Sequence, residues 1–226
     1  MGKRARGGSA PTPSPRKAVS AAGSEVKLVK PGRDLAWSMG KLTAVSPEAM
    51  MFQHPTGDSA YKFVELGAGE AGLSKEHKAL GASILPIDIL YRWAEHDLVR
   101  QAVTDVVCEV VTKEADVVHS AIPCNTYSCC RYPTLRTKAF PDGLPDLKRK
   151  DQIIVLKANI LAENMLRIVN DAAEQGIPWT VENPNGSVFW HCAAYRVIYE
   201  KYQPLTVKFD MCRYGADFKK RMYILQ

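Results

Sequence analysis

Residues 61–69 read YKFVELGAG, a short apolar run that breaks into glycines, and this stretch decides the fold. Its length and composition predict a buried strand followed by a tight turn. The same pattern recurs along the chain. A helix over 70–80 stopping near Gly81 leads to a second strand, ASILPIDIL (82–90), with Asp88 at its end. QAVTD (101–105) reads as a third, weaker strand ending in Asp105, with a helical segment after it. ADVVHSAIP (115–123) is a fourth strand, followed by a polar, proline-rich stretch from Cys124 to about Pro145. Residues 147–175 predict one long helix, with Ile153, Leu156, Ile160, Asn164 and Ile168 near helical spacing and Gly176 as its stop. IPWTVENP (177–184), LTVKFDMC (205–212) and RMYILQ (221–226) complete the set. Alternating strands and helices imply an α/β domain around a seven-stranded, mostly parallel, doubly wound sheet. The close final pair implies an antiparallel last strand.

The chain has 226 residues, 46% of them hydrophobic, and a net charge of +6. Residues 1–30 hold seven basic side chains against Glu25 alone, so the whole surplus lies there and residues 31–226 are neutral. That distribution excludes a uniformly basic nucleic-acid coat. The division expected is a disordered basic tail over 1–30, a lead-in segment over 31–60 and a main domain over 61–226. The tail, rich in Gly, Ala, Ser and Pro, cannot bury enough surface to offset its ordering entropy. Its KRAR and SPRK runs suit a targeting or nucleic-acid-contacting arm, and equally a solubilising tail. No run approaches the roughly 18 apolar residues of a membrane span, and the N-terminus lacks the apolar segment of a signal peptide. The six cysteines show no paired framework, which points to free thiols in a reducing compartment. The expected location is the nucleus in a eukaryotic cell, or for a virus infecting one, and the cytoplasm otherwise. A monomer is expected.

Gly67, Gly69 and Gly72 satisfy a G-x-G-x-x-G spacing after a strand, so a dinucleotide site is one reading. Glu65 directly ahead of the glycines would repel a pyrophosphate and suits a ligand carrying an amine and a sulfonium. Asp88 can take two ribose hydroxyls, and Asp105 can accept from an adenine amine. Three carboxylates at three successive strand ends describe S-adenosylmethionine better than NAD. The alternative is that Asp88 and Asp105 merely cap helices.

Ile122-Pro123-Cys124-Asn125 leaves the fourth strand into a polar loop. A cysteine there sits in the crevice of a doubly wound sheet, where backbone amides and basic side chains can stabilise its thiolate. A buried inert thiol is the bland alternative. A zinc site drawing on Cys129, Cys130, His191 and Cys192 is another, although C-x4-C-C lacks the usual C-x2-C pair. The next sheet strand ends in Val181-Glu182-Asn183-Pro184, which places Glu182 beside the Cys124 loop.

FVELGAGEAG, AIPCNTYS, VENP and CRYGADFKKRMYIL together resemble, in order, four motifs of the DNA cytosine carbon-5 methyltransferases, and most of all their compact phage- and virus-type members. The resemblance runs from about residue 61 to residue 226. It implies a Rossmann-like, class I S-adenosylmethionine-dependent fold. By match, Cys124 is the nucleophile and Glu182 the acid that recognises the base, with Lys219 and Arg221 as basic residues near both. Glu65, Gly67, Gly69, Asp88, Ile89, Asp105 and Pro123 become the cofactor-binding set. Gly67 and Asn125 stand where the family usually has Phe and Gln. The spacing over 214–221 is one residue shorter than the common form, and the expectation is a catalytic domain over 61–226 without a target-recognition domain.

Residues 131–150 carry Arg131, Arg136, Lys138, Lys148, Arg149 and Lys150 against Asp142 and Asp146. This excess beside the nucleophile reads as a phosphate-contacting loop, or as an ordinary solvated loop and helix start. The expected partner is DNA, with RNA open because nothing here reads the sugar. No resident metal and no membrane are expected. A catalytically idle, nucleic-acid-binding domain is the alternative of a different class.

Overall fold

Short apolar runs bounded by glycine, proline or aspartate form six strands: β1 (Lys62–Leu66), β2 (Ser83–Ile87), β3 (Val117–Ala121), β4 (Trp179–Pro184), β5 (Thr206–Asp210) and β6 (Arg221–Leu225). The structure is a computed structural model and describes residues 45–55, 58–215, 217 and 219–226. The basic tail over 1–30 and the first part of the lead-in segment lie outside the described residues. The strands form one mixed sheet in the order β2-β1-β3-β4-β6-β5. β1 to β4 run parallel, and β6 is antiparallel to both β4 and β5. This α/β arrangement, with a reversed last strand, is compatible with a Rossmann-like fold.

The expected seven strands reduce to six among the described residues. QAVTD is not a strand; it opens α3 (Gln101–Glu114). Val103, Val107 and Val111 recur every fourth residue and are each 0% exposed. Burying such a stripe contributes about 1.5–3 kcal/mol per side chain, which outweighs the weak β preference of valine and threonine. The outer edge of β2 is met instead by Gln53, which forms an antiparallel bridge to Ile84.

The helices lie unequally on the sheet. α3, α4 (Arg149–Glu174) and α5 (Ala193–Tyr202) share one core cluster with Val64, Leu66, Leu85, Ile87, Val118 and Val181, side chains that alternate onto one face. Met50 and Phe52 join the same core. α4 stops at Gly176, whose φ of +71° suits only glycine comfortably. The other face carries Phe63, Glu65, His119, Thr180 and Glu182. α1 (Gly72–Ala79) covers its β1 end, with His77 stacked on Phe63 at 3.7 Å between ring centroids. The loops after β1, β2, β3 and β4 and the start of β6 therefore emerge at one end of the sheet. Among the described residues, no helix is long and apolar enough to cross a membrane.

Candidate functional site

β1 ends in the glycine turn because its path runs too close to β3 for a side chain. A Cβ on Gly67 would collide with the Ala121 carbonyl oxygen, and its φ is +68°. Gly69, at φ +54°, faces open space instead. Asp88 braces this turn: Oδ2 accepts from Gly69 N at 3.0 Å, and Oδ1 accepts from Leu90 N at 3.0 Å. It thus caps the short helix α2 (Ile89–Arg92), as the bland reading of Asp88 foresaw, while each carboxylate oxygen keeps a lone pair for a ligand. Glu65 is buried, and its Oε2 accepts from both the backbone N and the hydroxyl of Ser74 on α1. Burial lifts its carboxyl above the ordinary range, against the two Ser74 bonds, and Asp88 adds to the rise.

The third carboxylate is not Asp105. That residue lies on the exposed side of α3, where Oδ1 accepts from Arg167 on α4 at 2.7 Å and from Gln101 at 2.9 Å. Its place at a strand end was lost with the strand, and it neither reaches the glycine turn nor caps a helix. Glu70, exposed beside Gly69, is the third carboxylate near the turn. Glu65, Asp88 and Glu70 all act on the hydroxyl of Tyr91 and, together with burial as the largest cause, hold its pKa up. Neither Glu70 nor Tyr91 was expected from the sequence. A turn with this charge suits the cationic end of a ligand and repels a pyrophosphate, so the dinucleotide reading fits poorly. Ile89 lies exposed at the first position of α2, and Pro123 lies exposed ahead of Cys124.

β3 leads into the Cys124 loop, which is tied once to β4 and once to the chain after it. Asn183 Nδ2 donates to Ile122 O at 2.7 Å, and Val188 N donates to Tyr127 O at 2.9 Å. Cys124 is half-buried, whereas Cys108 and Cys192 are buried and pushed up to about 12, chiefly by that burial. Glu182 pairs in register with Ala121, so the carboxyl and the thiol loop stand on adjacent strands at the same end of the sheet. Burial raises the Glu182 carboxyl, Lys220 opposes that rise and Glu65 adds to it. His119, two residues before Ala121, occupies the same face. Its Nε2 is 3.8 Å from Glu182 Oε2, and its Nδ1 is 2.7 Å from Thr180 Oγ1. Burial pulls His119 down to about 4, so this neighbour of Glu182 is neutral.

The basic residues divide differently from the expectation. Arg221 Nε is 3.1 Å from Asp210 Oδ1 and Lys219 Nζ is 3.8 Å from Asp210 Oδ2, so both turn toward β5. Lys220, between them, is the cation that acts on Glu182. Strand alternation explains the swap, because Lys220 shares its side of the chain with Met222 and Ile224, and Ile224 pairs with Glu182. Arg136 is not a phosphate contact. It is 3% exposed, lies 4.0 Å above the Tyr127 ring, and donates to Pro141 O and Asn159 Oδ1 at 2.8 and 2.7 Å. Those acceptors gather on a loop and on α4, so the guanidinium knits the Cys124 loop to that helix. Arg131 folds back, half-buried, toward Asn125 O at 3.4 Å. Lys138, Lys148, Arg149 and Lys150 are exposed.

Among the described residues, no group of three His, Cys, Asp or Glu side chains is placed to hold a metal ion, which leaves the zinc alternative without a ligand set. The arrangement can present a thiol and a carboxyl of raised pKa to one flat polar substrate beside an acidic turn. No protein-family model matches the chain, and no curated protein proves similar to it.

Proposed function

We propose that the protein transfers a methyl group from S-adenosylmethionine to carbon-5 of cytosine in DNA. The observation that carries this reading is the tie between the two chemical runs. Asn183 of Glu182-Asn183-Pro184 bonds the Ile122 carbonyl of Ile122-Pro123-Cys124 at 2.7 Å. Ser120 Oγ, Thr126 Oγ1 and Asn183 Oδ1 are buried near this tie without protein hydrogen-bond partners. The α/β sheet, with β6 reversed beside β4 as the close final strand pair leads one to expect, is compatible with the Rossmann-like fold that the resemblance implies.

The residues suit the chemistry as follows. The cytosine ring is a poor carbon nucleophile until its aromaticity is broken. The Cys124 thiolate adds to carbon-6 and makes carbon-5 enamine-like. Glu182, whose carboxyl burial raises above the ordinary range, would in its protonated form donate to the ring nitrogen and accept from the exocyclic amine, which stabilises the adduct and selects cytosine over thymine. Glu65, Glu70, Asp88 and the open Gly69 turn would hold S-adenosylmethionine, which supplies the electrophilic methyl group that carbon-5 takes up. S-adenosylhomocysteine would be the leaving group, and transfer of the carbon-5 proton to a water molecule then expels the Cys124 thiolate and restores the ring. A paired base cannot reach such a loop, so the target is flipped or single-stranded.

The test is transfer of labelled methyl to DNA and to RNA by the full chain, with Cys124→Ala and Glu182→Gln alongside. Cys124→Ala should abolish transfer, and Glu182→Gln should slow it by about 10²–10⁴-fold. Transfer that persists in Cys124→Ala overturns the covalent route, and transfer to RNA alone reassigns the substrate.

A further inference from the structure

At the same end of the sheet, the β5–β6 pair and the 3₁₀ turn Met211–Tyr214 enclose an open cleft of about 600 Å³, lined by Lys208, Phe209, Asp210, Arg213, Tyr214 and Arg221. Its position follows from the ladder. Arg221 opens β6 opposite Asp210, and its carbonyl accepts from Asn185 N at 2.9 Å, just past Glu182-Asn183-Pro184. Asp210 is the single acid of the lining, and Arg221 and Lys219 already neutralise it. Lys208 and Arg213 therefore leave the cleft positive. Tyr214 is 78% exposed, unusual for so large a ring, and Phe209 braces it edge-to-face at 5.5 Å between centroids. Lys208 also lies 4.9 Å over the Tyr223 ring and Arg213 also acts on Asp210, yet among the described residues neither forms an ion pair of its own. An aromatic face beside two such cations is the pairing that holds a nucleotide by its base and its phosphate.

We propose that this cleft binds single-stranded nucleic acid, with phosphates on Lys208 and Arg213 and an unpaired base stacked on Tyr214. The proposal rests on the reading that this end of the sheet handles a nucleic-acid base, and it names the surface that carries the flanking strand. A duplex keeps its bases stacked on one another and offers Tyr214 no free face, whereas a single strand does. An acidic peptide would satisfy the cations but leave the ring unused. The surface also supplies what Arg136, buried under the Cys124 loop, cannot.

The experiment is fluorescence anisotropy of the full chain with a labelled 20-nucleotide single strand of DNA, its RNA equivalent and the corresponding duplex, over a series of salt concentrations. Lys208→Ala with Arg213→Ala should lower the slope of log affinity against log salt by about 1.4 for the single strands. Tyr214→Ala should weaken single-strand binding by roughly 5- to 100-fold and leave duplex binding unchanged. Tyr214→Trp should retain single-strand binding, which separates stacking from damage to the turn. Single-strand binding identical in all variants and in the wild type overturns the proposal, as does an equal Tyr214 effect on the duplex or equal competition by polyglutamate. Binding that responds to these substitutions without any methyl transfer keeps the cleft and rejects the proposed chemistry. Methyl transfer with unchanged oligonucleotide binding does the reverse.

Discussion

Lowering the pH from 7 to 5 should cost the fold about 2 kcal/mol through His119 alone. The ring sits in the middle of the sheet on β3 with a side chain 6% exposed, so solvent screens it little. Burial pulls its pKa from the ordinary 6.5 to about 4. Between those values the unfolded chain binds a proton that the native ring refuses. Stability therefore rises with pH across this window and is lost as the pH falls through it. A full proton is worth about 1.4 kcal/mol per pH unit, and partial titration near 6.5 trims the loss between pH 7 and 5 to about 2 kcal/mol. Glu182 runs the other way: its raised carboxyl contributes stability at low pH that is lost as the pH rises through the raised value. The assay is urea unfolding at both pH values for the wild type and for His119→Gln, which cannot titrate. Because Glu182 and the other acids remain in both proteins, the difference between their pH losses reports His119. Equal losses in the two proteins would refute a neutral, buried ring.

Four further outcomes follow from particular contacts and from burial. Gly67→Ala should cost about 3 kcal/mol or more in chemical denaturation, since the new Cβ meets the Ala121 carbonyl at a positive φ. Gly69→Ala, strained in φ but facing open space, should cost only about 1–2 kcal/mol. Arg136→Met strips donors from Pro141 O and Asn159 Oδ1 and should destabilise the fold by about 2–4 kcal/mol without changing the salt dependence of oligonucleotide binding. A fall in that salt slope would contradict its burial. Iodoacetamide at pH 8 should spare Cys108 and Cys192, which burial holds protonated, and modify Cys124, Cys129, Cys130 and Cys212, as peptide mapping can check.

The parallel strands were legible because each is a short apolar run ending in a turn residue, and α4 because its apolar side chains keep helical spacing over 26 residues. QAVTD misled because five residues are too few to separate the two periods. The valines at 103, 107 and 111 show the helix once the window reaches Glu114. Asp105 went wrong with it. The placement of Cys124 beside Glu182 was readable from strand order. The roles of Arg136 and Lys220 were not. Arg136 is buried by Tyr127, Pro141 and Asn159, partners spread over more than thirty residues, and a basic stretch carries no mark of which member turns inward. Lys220 and Arg221 point to opposite sides of one chain, so a one-residue choice of phase decides which cation meets Glu182. His119 is hidden in an apolar strand, where nothing short of the register sets it next to Thr180 and Glu182.

The position of β6 also constrains the order in which the molecule assembles. β5 is made before β6, yet among the described residues its sole ladder is to β6, and β6 alone joins it to β4. β5 has no place to dock until the chain has run past Arg221 and doubled back. The two strands must then arrive together as a hairpin at an already formed β4 edge, bringing Lys220 to Glu182 and Arg221 to Asn185. The thiol loop, the acidic turn and the helices can all be in place before that event. Completion of the candidate site thus depends on that hairpin, and a chain in which it opened locally would keep most of its sheet while lacking one wall of its crevice.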